Sequence, residues 1–536
     1  MMNDLHNYRK ELDFRNGAFW VHDPDQRFKE LKRTFIYDSV GGGWKTTDIK
    51  KAVDLRSVAN ARAKIVFGRY YIIENKSVIE DFSWPSGLAP LPFQIPAAHF
   101  AITRNRSYLW LDPGLGKTPI SVLINNHSPG RTLIVCPSFL KYHWKRTFMD
   151  WNTTNLVDSN IALIEAGEDV RDVHPSTPIT IFPDSLTPNH KAVAALKTRK
   201  YDRAFIDEAH RYGSLETKRT QAIYGGFKSN IEKGRHFVRG LESSCSQVVS
   251  LSGTAMPNFR PMELYPVLWS QCPGEIDFKS HFDYGMKYCA GFHDGFGYDF
   301  SGASNIPDLQ ARIFGKYILR MKKEDHLKDL PPKTREIIHL EGKVSPFVTD
   351  FSKDLLSTMT GSEILEMQNG GAVDIGDIAR LRREVGTALI EPSVELLIEL
   401  LETTQEKIIV GAYHREVVEA LSFRLKKYGV VKIIGGMKPR EKDDIVKAFQ
   451  TDPDVRVAVM NMEAGGVGTT MTAAHRVIVV EPDWRPGINV QFEDRTHRIG
   501  QLDNVLCQYL VLANTISEVI VKAILRKLEM EKKQNV

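Results

Sequence analysis

Tyr108-Leu109-Trp110-Leu111-Asp112-Pro113-Gly114-Leu115-Gly116-Lys117-Thr118 is an apolar run that breaks into a glycine turn and then into a helical pattern from Thr118 to Asn126. Strand, glycine turn and helix in that order form the context a phosphate-binding loop requires. Glycines let backbone N–H groups approach phosphate oxygens, and the N-terminus of the following helix adds a favourable dipole. In this reading Asp112, Pro113, Gly114, Leu115 and Gly116 wrap the phosphates of ATP. Lys117 reaches the β and γ phosphates, and the Thr118 hydroxyl binds Mg2+. Leu111 stands where the common form of the loop has its first glycine, so a plain glycine-rich strand-to-helix turn stays open as the alternative.

Outward from this loop, apolar strands (Thr132 to Cys136, Ile179 to Phe182, Ala204 to Ile206, Val248 to Leu251) alternate with helices such as Phe139 to Trp151. The alternation predicts a parallel sheet covered by helices. Asp207-Glu208-Ala209-His210 follows one of these strands, so both carboxylates emerge at one sheet edge. Asp207 would hold Mg2+ through water, and Glu208 would position or deprotonate an attacking water; an acidic helix cap is the bland alternative. Ser252-Gly253-Thr254 follows another strand, and its hydroxyls would sense the nucleotide and couple it to polymer binding, or simply turn the chain.

The rhythm breaks between 274 and 390, where aromatics and glycines crowd near Phe278 to Phe300 and helical patterns follow at Pro346 to Met359 and Ile375 to Val385. It resumes with strands Lys407 to Tyr413, Val430 to Ile434, Val455 to Met460 and Val477 to Glu481. The chain therefore divides into an N-terminal accessory region (1–87), a first α/β lobe (88–273), helical insertions with the inter-lobe connection (274–390), a second α/β lobe (391–516) and a C-terminal helix (517–536). In the second lobe Arg495 and Arg498 are three apart, so on a helix they share a face. Two guanidiniums on one face clamp a phosphoryl group in its transition state, or else form a solvated charged face.

Composition narrows the classes. At 42% hydrophobic and 26% charged residues the chain is of globular type, and its 536 residues exceed one ordinary domain. The N-terminus lacks an apolar secretory core, and no apolar run is long enough to span a bilayer. The expectation is a protein that is not secreted and not in a membrane. Cys136, Cys245, Cys272, Cys289 and Cys507 contain no CxxC pair, which argues against zinc or a disulfide framework. A net charge of +5 permits nucleic-acid binding without arguing for it. Between Lys228 and Ser244 the bases Lys228, Lys233, Arg235 and Arg239 could form a DNA-contacting loop or a solvated insertion. In the N-terminal region Trp44, Lys45, Arg69 and Tyr70 could read DNA structure or pack in a core.

Taken in order, these segments resemble the Swi/Snf-like DNA translocase family within helicase superfamily 2. Leu91-Pro92-Phe93-Gln94 resembles that family's adenine-reading segment, with Gln94 as the adenine contact, and Asp112 to Thr118 resembles its phosphate loop, which also lacks the early glycine. Val135-Cys136-Pro137-Ser138 with Trp144 resembles its first DNA-tracking segment, and Ser252-Gly253-Thr254 its coupling motif. Arg320, Lys322, Lys323 and Leu330-Pro331-Pro332-Lys333 resemble its lobe-connecting segment. Ala464-Gly465-Gly466-Val467-Gly468-Thr469 resembles the second-lobe loop at DNA and ATP; Pro482-Asp483-Trp484-Arg485-Pro486-Gly487 with Gln491 to Gln501 is the most family-specific stretch. Leu111, Pro113, Ala255 and Met256 depart from the pattern, but Gly, Lys and Thr of the loop are intact.

The resemblance implies two RecA-like lobes with ATP and Mg2+ between them. Lys117, Asp207 and Glu208 would face the arginine pair Arg495 and Arg498, and Gly468 would join the ATP site. Pro137, Ser138, Trp144, Ser252, Gly253, Thr254, Gly465, Gly466, Thr469, Trp484 and Gln491 would bind DNA or couple it to the nucleotide. The partner would be double-stranded or branched DNA, the active form monomeric, and the work fork remodelling, branch migration or annealing. A superfamily 2 RNA helicase, a nucleic-acid clamp with weak ATPase activity, and, ranked low, a nucleosome remodeller remain as alternatives. The compact chain suggests the cytoplasm or nucleoid of a bacterium, or a virus-infected host.

Overall fold

The computed structural model describes residues 12–15, 18–22, 36–38 and 43–46, and then 82–534 apart from 231–233, 273–279, 296, 359–374, 463–468 and 514. Two parallel sheets dominate it. The first has seven strands in the order Ile318–Met321, Arg106–Leu111, Cys245–Ser252, Tyr201–Ile206, Thr132–Cys136, Ile179–Pro183, Ile161–Leu163. The second has six, ordered Lys333–Leu340, Val505–Leu512, Arg476–Val479, Ile408–Ala412, Val457–Asn461, Val430–Ile433. Every strand pairing in both is parallel.

Helices cover both faces of each sheet, which is why the strands read as unbroken apolar runs. Alternate side chains serve opposite cores: Tyr108 and Trp110 pack on one face of the first sheet, Leu109 and Leu111 on the other. Ile408 and Val410 do the same opposite Ile409 in the second. The loops after Arg106–Leu111, Thr132–Cys136, Tyr201–Ile206 and Cys245–Ser252 therefore emerge together at the carboxyl ends of neighbouring strands, where α/β sheets bind ligands.

The connection between lobes differs from the helical insertion expected over 274–390. Helices Pro346–Thr358 and Ile375–Ala388 are present, but Ile318–Met321 joins the first sheet and Lys333–Leu340 the second. Each lobe thus takes an edge strand from the connection. Those strands escaped notice because Ile318–Met321 is only four residues long and Lys333–Leu340 is interrupted by charge. The N-terminal region contains a four-stranded antiparallel sheet in the order Leu12–Arg15, Ala18–His22, Gly43–Thr46, Ile36–Asp38. Arg69 and Tyr70 lie outside the described residues. Among the described residues no helix is long and apolar enough to cross a membrane.

Candidate active site between the two lobes

The phosphate loop joins strand Arg106–Leu111 to helix Lys117–His127. Gly116 has φ +79°, and a Cβ there would come within 2.2 Å of Gln94 Nε2. Only glycine satisfies both the left-handed backbone and that approach. Gln94 Nε2 donates to the Leu115 carbonyl (3.2 Å) while its Oε1 accepts from Leu91 N (2.9 Å), so the segment Leu91 to Gln94 is tied to the loop. Asp112 spends its carboxylate on Arg320 (2.6 Å) and on the Lys323 N–H (2.9 Å), bracing the loop from behind. Lys117 Nζ lies 3.4 Å from the Leu111 carbonyl, folded back over its own loop.

Asp207 and Glu208 follow strand Tyr201–Ile206 and are both buried. Asp207 accepts from the Trp144 indole N–H (2.8 Å) and from Glu208 N (2.9 Å). Burial and the adjacent Glu208 push its carboxyl up to about 7. Glu208 has a left-handed φ of 48°, and its Oε2 lies 3.2 Å from His210 Nδ1. Burial raises this carboxyl, yet His210 and Lys117 outweigh it and hold the group below its ordinary range. His210 Nδ1 is also hydrogen-bonded with Ser252 Oγ (2.9 Å), which in turn accepts from Thr254 N (3.0 Å). The carboxylate pair and the Ser-Gly-Thr turn are thus one hydrogen-bonded unit.

That turn meets the second lobe. Gln491 Nε2 donates to Thr254 Oγ1 (3.1 Å), and Gly487 N donates to the Pro257 carbonyl (3.1 Å). Helix Pro486–Glu493 ends before the two arginines, so the shared helical face expected for them does not exist. In the turns that follow, they part company. Arg495 is completely buried, with Nη1 on Thr469 Oγ1 (2.5 Å) and with Nε and Nη2 lacking partners among the described residues. Burial and the neighbouring Arg498 bring its guanidinium down to about 9. Arg498 turns to the cleft instead, held by the Asp494 carbonyl (2.9 Å) and Thr470 Oγ1 (3.1 Å).

A cavity of about 230 Å³ is lined by Gly114, Gly116, Lys117, Thr118, Asp207, Glu208 and, from the second lobe, Thr470, Gln491 and Arg498. Reasoning from the sequence missed His143, which also lines it and lies beside Trp144 in helix Lys141–Trp151. The cleft walls, Arg498 and Arg146 hold His143 down to about 4, so it is neutral near pH 7. Beside it, a larger apolar cavity of about 780 Å³ runs along Leu91, Pro92 and Phe93 to Ile499 and Gly500 of the second lobe. Phe93 stacks near His326 there, with ring centroids 5.0 Å apart.

Two residues expected to bind DNA or couple it to the nucleotide sit inside the cores. Trp144 and Trp484 are buried, because each indole is part of a core. Trp144 anchors Asp207, and Trp484 packs under the Arg382 guanidinium, 5.3 Å from its ring centroid. Pro137 is buried beside Ser138, whose hydroxyl meets Ser185 (2.6 Å). Gly465, Gly466 and Gly468 lie outside the described residues. The basic segment forms a hairpin, Gly226–Asn230 with Gly234–Val238; the side chains of Lys228, Lys233 and Arg235 are outside the described residues, and Arg239 pairs with Glu242 (3.2 Å). All five cysteines are buried and free.

Two parallel-sheet lobes, with a phosphate loop and paired carboxylates on one and an arginine facing them from the other, define a two-lobed RecA-like nucleotide-binding protein of helicase type. A family model described as "Helicase conserved C-terminal domain" matches residues 392–500. Over 446 residues the chain is 28% identical to the SWI/SNF-related matrix-associated actin-dependent regulator of chromatin subfamily A-like protein 1 homolog of Caenorhabditis elegans, covering 82% of this chain and 61% of that protein. It is 29% identical over 453 residues to the DNA annealing helicase and endonuclease ZRANB3 of Homo sapiens, covering 82% and 40%. A solved structure, the Sulfolobus solfataricus SWI2/SNF2 ATPase core in complex with dsDNA, is 21% identical and covers 83% of this chain and 92% of that one, with a TM-score of 0.39. The chain is thus similar to Swi/Snf-like proteins of helicase superfamily 2. It spans less than two thirds of the length of these curated relatives. Their animal sources correct the expectation of a bacterial or virus-infected host. That expectation rested on compactness, which measures how many domains surround a motor and not where it works.

Proposed function

We propose that the chain is an ATP-driven motor that hydrolyses ATP between its lobes while moving on double-stranded or branched DNA. The observation that carries this reading is the single cavity lined by Lys117, Thr118, Asp207 and Glu208 of one lobe and Arg498 of the other. A site divided between two bodies changes shape as its ligand changes charge, which is the requirement for converting hydrolysis into movement. The apolar cavity beside Leu91 and Phe93 suits a purine base, leaving the triphosphate to the glycine loop. Lys117 would neutralise the β and γ phosphates, Glu208 would take the proton of the attacking water, and Arg498 would meet the charge that develops on the transferred group.

Thr118 and Asp207 would hold Mg2+. Two adjacent buried carboxylates, one of them pushed up by burial and by the charge of the other, are a donor set that suits a divalent cation. When bound, the ion supplies Lewis-acid polarisation of the phosphates. Trp144 would then fix the free orientation of Asp207 through its indole N–H. Trp144→Phe keeps the ring and loses that bond, so the Mg2+ concentration giving half-maximal hydrolysis should rise about ten- to a hundredfold. An unchanged Mg2+ dependence in a folded variant would exclude this role.

DNA as the track is supported by the family and by the printed name of one relative as a DNA annealing helicase. Pro137, Ser138, Gly465, Gly466 and Thr469 would touch it; Ser252, Gly253, Thr254 and Gln491 would couple it to the nucleotide. Work in replication, recombination or repair, by a monomer, follows from the same reading. Steady-state ATP hydrolysis is to be compared without nucleic acid and with duplex DNA, forked DNA or RNA, alongside Lys117→Ala. Strong stimulation by DNA, reduced about 10²–10³-fold or more in the variant, is the expected result. Stimulation by RNA alone would move the chain to the RNA helicases, and no hydrolysis under any condition would leave a nucleic-acid clamp.

A further inference from the structure

We propose that Lys323 is a positioning residue that holds the arginine-bearing segment Asp494 to Arg498 of the second lobe against the phosphate loop of the first. Lys323 sits just after the edge strand Ile318–Met321 of the first sheet. Its backbone N–H donates to Asp112 Oδ2 (2.9 Å), the residue that opens the phosphate loop. Its ammonium crosses to the second lobe, where it meets Asp494 Oδ1 (3.0 Å) and donates to the His497 carbonyl (2.7 Å). Arg498 Nε donates to the Asp494 carbonyl (2.9 Å). One side chain therefore grips the turn of backbone that aims Arg498. The stems of both residues also cover the loop: a Cβ on Gly114 would lie 3.2 Å from Arg498 Cγ and 3.6 Å from Lys323 Cε.

The arrangement is built to release. Asp494 is shared with Lys333 Nζ (2.8 Å), which belongs to the second lobe's own sheet. If the lobes part, Asp494 keeps Lys333 and Lys323 returns to water, so neither is left as a lone buried charge. Burial brings the Lys323 ammonium down to about 8 despite the pull of Asp494. Despite burial, Lys323 and Lys333 in turn hold the Asp494 carboxyl well below its ordinary range, so the bridge joins the phosphate loop to the arginine-bearing turn as a charged pair.

The inference rests on the assignment of Arg498 to catalysis made above, and the test separates the two. Single-turnover ATP hydrolysis is measured for Lys323→Met, which keeps the stem and loses the charge, in the wild-type and Arg498→Ala backgrounds. A displacement of about 1 Å at a reacting group costs about a hundredfold. The expected result is a kcat loss of about ten- to a hundredfold with KM for ATP nearly unchanged, partly restored by Lys323→Arg. That loss should vanish in the Arg498→Ala background, because a residue acting only through Arg498 has nothing left to position. If the methionine variant melts early, Asp494→Asn approaches the same bridge from its other partner and should cancel in the same way. An equal loss in both backgrounds, or a change confined to KM, overturns the proposal. A wild-type chain with no Lys117-dependent hydrolysis overturns the motor reading instead.

Discussion

Arg498→Ala is expected to lower ATP turnover by ~10³–10⁵-fold, a barrier increase of about 4–7 kcal/mol, while leaving ATP binding nearly intact. The asymmetry follows from where the charge is needed. In the ground state Lys117 and the loop N–H groups would meet the phosphates from the first lobe, so binding would draw little on Arg498. Charge builds on the transferred group only in the transition state, and Arg498 is the second-lobe cation that lines the same cavity as Lys117, Asp207 and Glu208. A guanidinium fixed by the Asp494 carbonyl and Thr470 needs little reorganisation to meet that charge. Arg495 is placed differently, buried under the segment with one donor on Thr469. The check is turnover at saturating ATP together with binding of a fluorescent ATP analogue. Full turnover in the variant would remove Arg498 from the chemistry, and an equal loss of binding would make it a ground-state contact.

The sequence revealed the first-lobe site because its chemistry is bound to local structure. A phosphate loop must follow a strand and open a helix, and a carboxylate pair must leave a neighbouring strand; both patterns span fewer than a dozen residues. The same locality failed at the arginines. Their spacing of three implied a common face only while a helix was assumed, and the helix stops at Glu493. The burial of the tryptophans was illegible for another reason. An indole can stack on a base or fill a core, and nothing in a single sequence separates the two; the bond from Trp144 to Asp207 spans 63 positions. The edge strands of the connection were hidden for a related cause. Lys333–Leu340 opens with four polar residues on a sheet edge, and its lysine and arginine belong to an ion network with residues 158–161 positions away. Long-range pairing of that kind has no local signature.

That network carries the second large effect. Glu493→Gln is expected to destabilise the second lobe by about 3–5 kcal/mol. Glu493 is completely buried and accepts from Arg335 Nε (2.7 Å) and Nη2 (2.6 Å), Lys333 Nζ (2.8 Å) and the Tyr509 hydroxyl (2.7 Å). The amide keeps the shape but supplies no negative charge, so Arg335 and Lys333 are left largely buried with only Asp494 to offset them, and an N–H group now faces donors. The wild-type chain reports the same quantity through pH. Burial pushes the Glu493 carboxyl up, and Arg335 and Lys333 overcome this to hold it down to about 2, below its ordinary 4.5. A depressed folded value means that the stabilisation is fully present above pH 4.5 and is lost as pH falls toward 2. The difference is worth ~3 kcal/mol, in accord with the substitution. At about 2–4 °C per kcal/mol for a lobe of this size, the variant should melt roughly 10 °C lower at pH 7. Acidification should bring the wild type down toward it, while the variant, with no carboxyl left to titrate at this position, responds less. Calorimetry across pH 7 to 3 checks both, and equal melting temperatures at pH 7 would show that the carboxylate only breaks even against its own desolvation.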